Sequence, residues 1–308
     1  ASGTAAAGRA RSPGEGRVFP AVLDYTNEHG TLRTLLVDGP MPTKGHPFFE
    51  PLGPTGRACV TCHQPADGMS LSAATARERW EATGGKDPLF AAVDGSNCPI
   101  LPQGERASHL LLLERGLIRI ERPWPVRRFN GKPVTPDFDI EVVRDPNGCN
   151  SAPGYGPAAG RVSVYRRPRP VANMKYLLAV GFPFDPKQGY ALPLDPDDGK
   201  PQSGNLMADN RAGNLREQME DAAASHLQML HRLSPAQIKR LRDFELRVFA
   251  AQQVGTGRLD LDAGGAQGGP VKLRDSEPGA LGSIGTPVWS EFAAWEKPDP
   301  QAEAGLTA

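Results

Sequence analysis

The five residues Cys59-Val60-Thr61-Cys62-His63 constrain this chain more than any other stretch of it. Only four cysteines occur in 308 residues, and two of them stand three positions apart with a histidine directly behind. Cys-x-x-Cys-His is the attachment signature of c-type haem. The two thiols add across the two vinyl groups of the porphyrin, and the histidine becomes the proximal ligand of the iron. A zinc ribbon needs a second close Cys or His pair, whereas Cys98 and Cys149 stand alone and far apart. A thioredoxin-like dithiol sits between a strand and a helix, and the "PLGPTGRA" ahead of Cys59 does not read as a strand. The sequence predicts one covalent haem c on Cys59, Cys62 and His63.

That reading carries a compartment with it. Haem c is attached outside the bacterial cytoplasm, where disulfides persist, so a periplasmic or extracellular location is expected. The opening "ASGTAAAGRA" reads as a chain that has lost a signal peptide. Cys98 ("SNCP") and Cys149 ("NGCN") lie in turn-like contexts and are a candidate disulfide, one that the loop-entropy model values at roughly 4 kcal/mol. The alternative is two buried free thiols. Lysine plus arginine balance aspartate plus glutamate at 35 each, so nothing points to nucleic acid. The densest apolar run, "HLLLLERGLIRI", is interrupted by Glu114 and Arg115, and no membrane span is expected.

Thirty-five glycines and 31 prolines punctuate the chain, which predicts short helices set in long loops around a cofactor that organises them. The expected fold is mainly α: a loop-rich, cytochrome c-like haem domain with a small inserted β hairpin or sheet. Residues 1–16 read as a flexible arm, 17–253 as the haem domain with a β-containing insertion at 126–170, and 254–308 as a Gly-rich extended tail. The section from Val18 to Trp124 reads as mostly helical. One helix is expected from Ser70 or Ser72 to the Gly84-Gly85 pair and another from Gln103 to Gly116. "FDIEVVRD" and "RVSVYRRP" are the candidate strands. Capping boxes at Asn214/Glu217 and Ser234/Gln237 open two further helices, the second running through "RVFAAQ". The first sets Leu215, Met219, Ala222, Ala223, Leu230 and His226 on one face.

The sixth iron position decides what such a protein does: filled, it makes an electron carrier; open, it admits peroxide or oxygen. Candidates are His226, His109, His231 and the methionines Met69, Met174, Met207, Met219 and Met229. Met69 stands too near the attachment site, Met219 reads as core, and His109 among leucines reads as a hydrogen-bonded core residue. His226 has small neighbours that leave room for a flat cofactor, and Gln218, two turns earlier, points into the same space.

Four stretches carry a resemblance: "GRACVTCHQPADG", "RRPRPVANMKYL", "LMADNRAGNLREQMEDAAASHLQM" and "LSPAQIKRLRDFELRVFAAQ". In this order, and covering most of residues 50–255, they resemble the N-terminal haem half of the bacterial di-haem cytochrome c peroxidase superfamily. That group includes the methylamine dehydrogenase maturation enzyme and haem-dependent rubber oxygenases. The resemblance implies that Gln218 lines the distal pocket. It also exposes departures. The inter-haem tryptophan is replaced by Ala208, the glycine of the same motif by Asn210, the acid/base glutamate by Gln228, and a second CxxCH is missing. An amide cannot serve as that acid/base. The chain is then a single-haem relative or the N-terminal part of something longer.

Three functional readings remain. The first is a peroxidase- or oxygenase-like haem oxidoreductase acting on peroxide or O₂, with Gln218 and His226 in the distal pocket. The second is an electron-transfer cytochrome with His226 or Met207 as sixth ligand. The third is a haem relay in a larger assembly. Each implies a redox partner protein or a second haem protein.

Overall fold

The computed structural model describes residues 18–125, 128–129, 132–145, 147–180, 194–263 and 268–276. The expected N-terminal arm lies outside them. The chain enters through β1 (Val18–Phe19), which pairs with β4 (Met41–Pro42). Between them β2 (Val22–Asn27) and β3 (Gly30–Leu36) form an antiparallel hairpin. The turn is local chemistry: Asn27 Oδ1 accepts from the His29 N–H at 2.9 Å. Gly30 has φ +126°, and a Cβ there would lie 2.0 Å from the Val254 carbonyl oxygen. Only glycine fits.

The attachment turn follows, and then α1 (Ala73–Thr83). Ser72 caps it by accepting from the Thr75 N–H, and Gly84 closes it in the left-handed conformation, as the sequence predicts. The helix expected from Gln103 is shorter. A 3-10 turn, Arg106–His109, leads into α2 (Leu110–Arg115), which stops at Gly116.

β5 (Ile118–Pro123) pairs antiparallel with β8 (Arg161–Arg166), and β6 (Arg128–Phe129) with β7 (Lys132–Pro133). Of the two candidate strands in the insertion, "RVSVYR" is one. Its partner is Ile118–Pro123, whereas "FDIEVV" forms no strand and leaves Val143 89 % exposed. Acidic residues at every second place there fit a ladder poorly.

α3 (Met174–Leu178) precedes α4 (Leu215–Ser225). Asn214 Oδ1 accepts from the Glu217 N–H at 3.0 Å, and Glu217 reaches back to the Gly213 N–H at 2.8 Å. α4 ends three residues before Gln228, which is left-handed at φ +53°. Leu230 therefore leaves the buried face and is 82 % exposed. α5 (Pro235–Arg247) opens with the expected Ser234–Gln237 box.

Instead of continuing through "RVFAAQ", the chain switches at Val248 into β9 (Val248–Val254). β9 pairs with β3, giving a three-stranded sheet in the order β2-β3-β9. Val248 and Phe249 are buried against Leu36 and Leu35 of β3. Pairing and burial of β-branched and aromatic residues override the helical pattern. A short helix, α6 (Gly269–Asp275), packs on β9, inside the stretch expected to be extended. Lys175 Nζ donates to the Arg274 carbonyl at 2.7 Å and holds it down.

The mainly α expectation is thus corrected. Among the described residues helix makes up 31 % and strand 19 %, with small antiparallel sheets instead of a cytochrome-like helical shell. The N-terminal sheet was read as helical because its closing strand arrives more than 200 residues later. Among the described residues no helix is long and apolar enough to cross a membrane.

Two apolar cores result. The larger gathers Phe19, Phe48, Leu215, Leu241 and Phe244 with their neighbours. The smaller is built on Leu71, Leu89, Phe90, Leu112 and Leu113. Cys59 packs at the edge of the first and Cys62 at the edge of the second.

Candidate functional site

The Cys59-to-His63 segment opens with a 3-10 turn, Cys59–Thr61. The N–H groups of Cys62 and His63 both donate to the Cys59 carbonyl, at 3.2 and 3.0 Å. Thr61 Oγ1 accepts from the Ala58 N–H at 3.0 Å, and the Val60 N–H donates to the Phe48 carbonyl at 3.0 Å. So wound, the turn sends both thiols and the His63 ring to the wall of one hollow of about 1200 Å³, mouth included. Neither thiol is in a disulfide. Burial raises the pKa of both; Glu245 adds to the effect on Cys59.

His63 Nδ1 lies 3.1 Å from the Met69 carbonyl oxygen. A carbonyl only accepts, so Nδ1 carries the proton and Nε2 the lone pair. Burial pushes the ring's pKa down to about 4, against the pull of the Met69 carbonyl and of a second backbone carbonyl, that of Arg169. A neutral imidazole whose other nitrogen is anchored to an outer acceptor is what a metal-ligating histidine requires.

Helix α4 supplies a second wall. Gln218, Met219, Ala222 and Ala223 face the hollow, and His226, at the helix's C-terminal cap, faces it too. His226 Nδ1 lies 2.6 Å from Asp94 Oδ2. The other Asp94 oxygen is held by Arg57, which is 1 % exposed. Arg57 also donates to the carbonyls of Pro88 and Leu89, each at 2.7 Å, and of His226 at 3.2 Å. Burial alone would raise the pKa of Asp94, but Arg57 and His226 outweigh it and hold the carboxyl below its usual range. Among the described residues nothing hydrogen-bonds to His226 Nε2.

Met207 lines the hollow at φ +65°, its carbonyl accepting from Arg169 at 2.7 Å. At the rim stand Arg166, Arg167, Arg169 and Arg211. Two polar atoms of the lining are buried without a partner, Gln218 Oε1 and Glu245 Oε2.

The structure therefore brings together Cys59, Cys62, His63, Met207, Gln218 and His226. Of the other candidates it adds Met174 and Met219 to the lining and separates the remainder. His109 is fully buried, its ring nitrogens 2.7 and 2.9 Å from the carbonyls of Gly95 and Gln103. His231 is exposed, and Met69 and Met229 are not in the lining, whereas Met174 and Met219 are. Gln228, which the resemblance aligns with the acid/base glutamate, is exposed and away from the hollow. Cys98 and Cys149 lie within disulfide distance, with Cα atoms 5.4 Å apart.

Sequence reasoning missed Arg57, Asp94 and Glu245. Asp94 sits in a turn ("AVDGSN") that carries no signal. Glu245 did carry one. Ile238, Leu241, Glu245 and Val248 fall on one helical face, so a carboxylate occupies a core position.

No family model, curated protein or solved structure matches this chain. The donor set must speak for itself. It fits haem c: two unpaired thiols and an anchored imidazole on one turn, a second anchored imidazole, apolar walls for a flat ring, and arginines at the rim for its two carboxylates. Among the described residues no group of three or more His, Cys, Asp or Glu side chains is placed to hold a bare metal ion.

Proposed function

We propose that this chain is an extracytoplasmic, single-haem c-type redox protein. Cys59 and Cys62 attach the ring, His63 is the proximal ligand, and His226 is the sixth. The observation that carries this reading is the pairing of each histidine. His63 Nδ1 is engaged by the Met69 carbonyl and His226 Nδ1 by Asp94, on the wall of one hollow. Such outer acceptors fix the tautomer and raise the basicity of the nitrogen left free. When bound, the haem supplies a one-electron ferric/ferrous couple. The chain's own part is to hold the ring, exclude water with Ile118, Met219 and Leu241, and neutralise the ring carboxylates at the arginine rim. The same rim suits an acidic redox partner. The partial resemblance to the di-haem peroxidase superfamily belongs to this proposal.

A second reading rests on a different observation. Gln218 Oε1 and Glu245 Oε2 line the hollow without partners among the described residues, as acceptors reserved for a small hydroxyl-bearing ligand such as hydrogen peroxide would. In that case His226 is a distal base and the protein a haem oxidoreductase.

The optical spectrum of ferric protein, matured in a host that attaches haem c, separates the two. A low-spin spectrum indifferent to peroxide, turned high-spin by His226→Ala and unaltered by Met207→Ala, supports His226 as ligand. A high-spin ferric spectrum that shifts with peroxide favours the oxidoreductase. No haem spectrum at all sinks both.

A further inference from the structure

Glu245 has no part in holding the haem in the first reading above, yet it is an unusual side chain of the hollow. It is 3 % exposed, lies on α5 among apolar residues, and reaches the wall that Cys59 shares. Its Oε2 has no hydrogen-bond partner. A buried carboxylate without a partner is costly and is retained where a function needs it.

Among the described residues no cation is hydrogen-bonded to it. The other charged groups of α5 are engaged elsewhere: Lys239 with Asp243, Arg240 with the Gly45 carbonyl, Arg242 with Asp195 and Asp198, Arg247 with the Val37 carbonyl. From the attachment turn, Cys59 faces it, a thiol consumed when haem attaches. The remaining ionisable groups of the hollow are Cys62, His63, His226, Arg57 and the rim arginines, and none hydrogen-bonds to it. Burial alone pushes its pKa up to about 8.

Resting on the haem reading, we infer that Glu245 is a redox-linked proton site, binding a proton when the haem takes an electron and releasing it when the electron leaves. The iron–porphyrin centre carries one net positive charge when ferric and none when ferrous. In a low-dielectric hollow that positive charge favours the Glu245 carboxylate, and its removal favours the acid. The balanced step is ferric haem, Glu245 carboxylate, one electron and one proton giving ferrous haem and the Glu245 acid. The electron comes from the redox partner, or from a mediator dye in the test, and the proton from solvent through the mouth. Electron transfer then moves a proton with it, and the potential falls as pH rises between the two pKa values of Glu245.

The experiment is a midpoint-potential titration of the intact haem-loaded protein from pH 5 to 9, with Glu245→Gln alongside. Wild type is expected to show a slope approaching ~59 mV per pH unit within part of that range, the one-electron value of a tenfold change in proton activity. Glu245→Gln is expected to flatten it. A flat wild-type profile overturns the inference. So does an unchanged slope in the variant, because ring carboxylates or another group then carry the proton. If Glu245→Gln does not fold, redox-difference infrared spectra of wild type decide. A protonated-carboxyl band that grows on reduction supports the site, and its absence overturns it. Wild type that matures without a reduced-haem band overturns the haem reading and this one together; haem present with a flat profile overturns this one alone.

Discussion

His109 and His226 sit in opposite kinds of neighbourhood. His109 lies in the smaller core, between Trp80 and Phe90 at ring distances of 5.0 and 5.4 Å, with both ring nitrogens facing carbonyls. Nothing of it is left over for chemistry. His226 has one nitrogen committed to Asp94 and the other turned to the hollow. The same contrast holds between the regions. Around the smaller core the buried arginine Arg79 is matched by both oxygens of Asp87, at 2.9 and 2.6 Å. Around the hollow, polar atoms of Gln218 and Glu245 stay unmatched. Unmatched buried polar atoms occur elsewhere too, Gln103 Oε1 and Arg119 Nε among them; what sets the site apart is that its two unmatched atoms line one hollow.

The sharpest way to break this comparison is Asp94→Asn. It strips a buried guanidinium of its carboxylate, so a loss of about 3–5 kcal/mol in denaturant unfolding is expected. Because the amide no longer fixes the His226 tautomer, the haem spectrum changes as well. A variant that loses stability with an unaltered spectrum would detach His226 from the site.

Glu245→Gln sharpens the same contrast through pH. Its folded pKa of about 8 lies above the ordinary value of 4.5, so the folded state binds the extra proton. The stabilisation is complete below about pH 4.5 and is lost as pH rises through about 8. In the haem-free chain the wild type should weaken across that window and the glutamine variant should not, by a few kcal/mol at the alkaline end. Thermal unfolding at pH 5 and pH 9 measures it.

The smallest effect belongs to His109→Ala. It leaves two carbonyls unmatched and a gap beside Trp80, so a loss of about 1–3 kcal/mol is expected, with the haem spectrum and potential untouched. A spectral change here would erase the distinction between the two histidines.

How much of this was readable in the sequence follows from the range of the forces involved. Ser72, Asn214 and Ser234 announced their helices because a cap acts within one turn. The Cys59-to-His63 turn was readable for the same reason, and His226 through its place on a helical face. β9 was not, since Val248 and Phe249 form a strand only against Leu35 and Leu36, more than 200 residues earlier. Leu230 was misplaced because the left-handed Gln228 sits past the end of α4. Asp94 was invisible because its two partners, Arg57 and His226, come from distant segments. Glu245 was visible as a charge on an apolar stripe but meant nothing until the hollow was seen.

The attachment turn lies where the two cores meet, Cys59 against the larger and Cys62 against the smaller, with Arg57 reaching across to Asp94 beside it. A rigid plate bolted to both sulfurs would straddle that seam and clamp its two sides together. On the proposed haem reading, maturation would then also be a mechanical event. Before it, packing and the Arg57–Asp94 pair alone would hold the seam, and amide exchange near Pro88, Leu89 and Leu227 should be faster than afterwards.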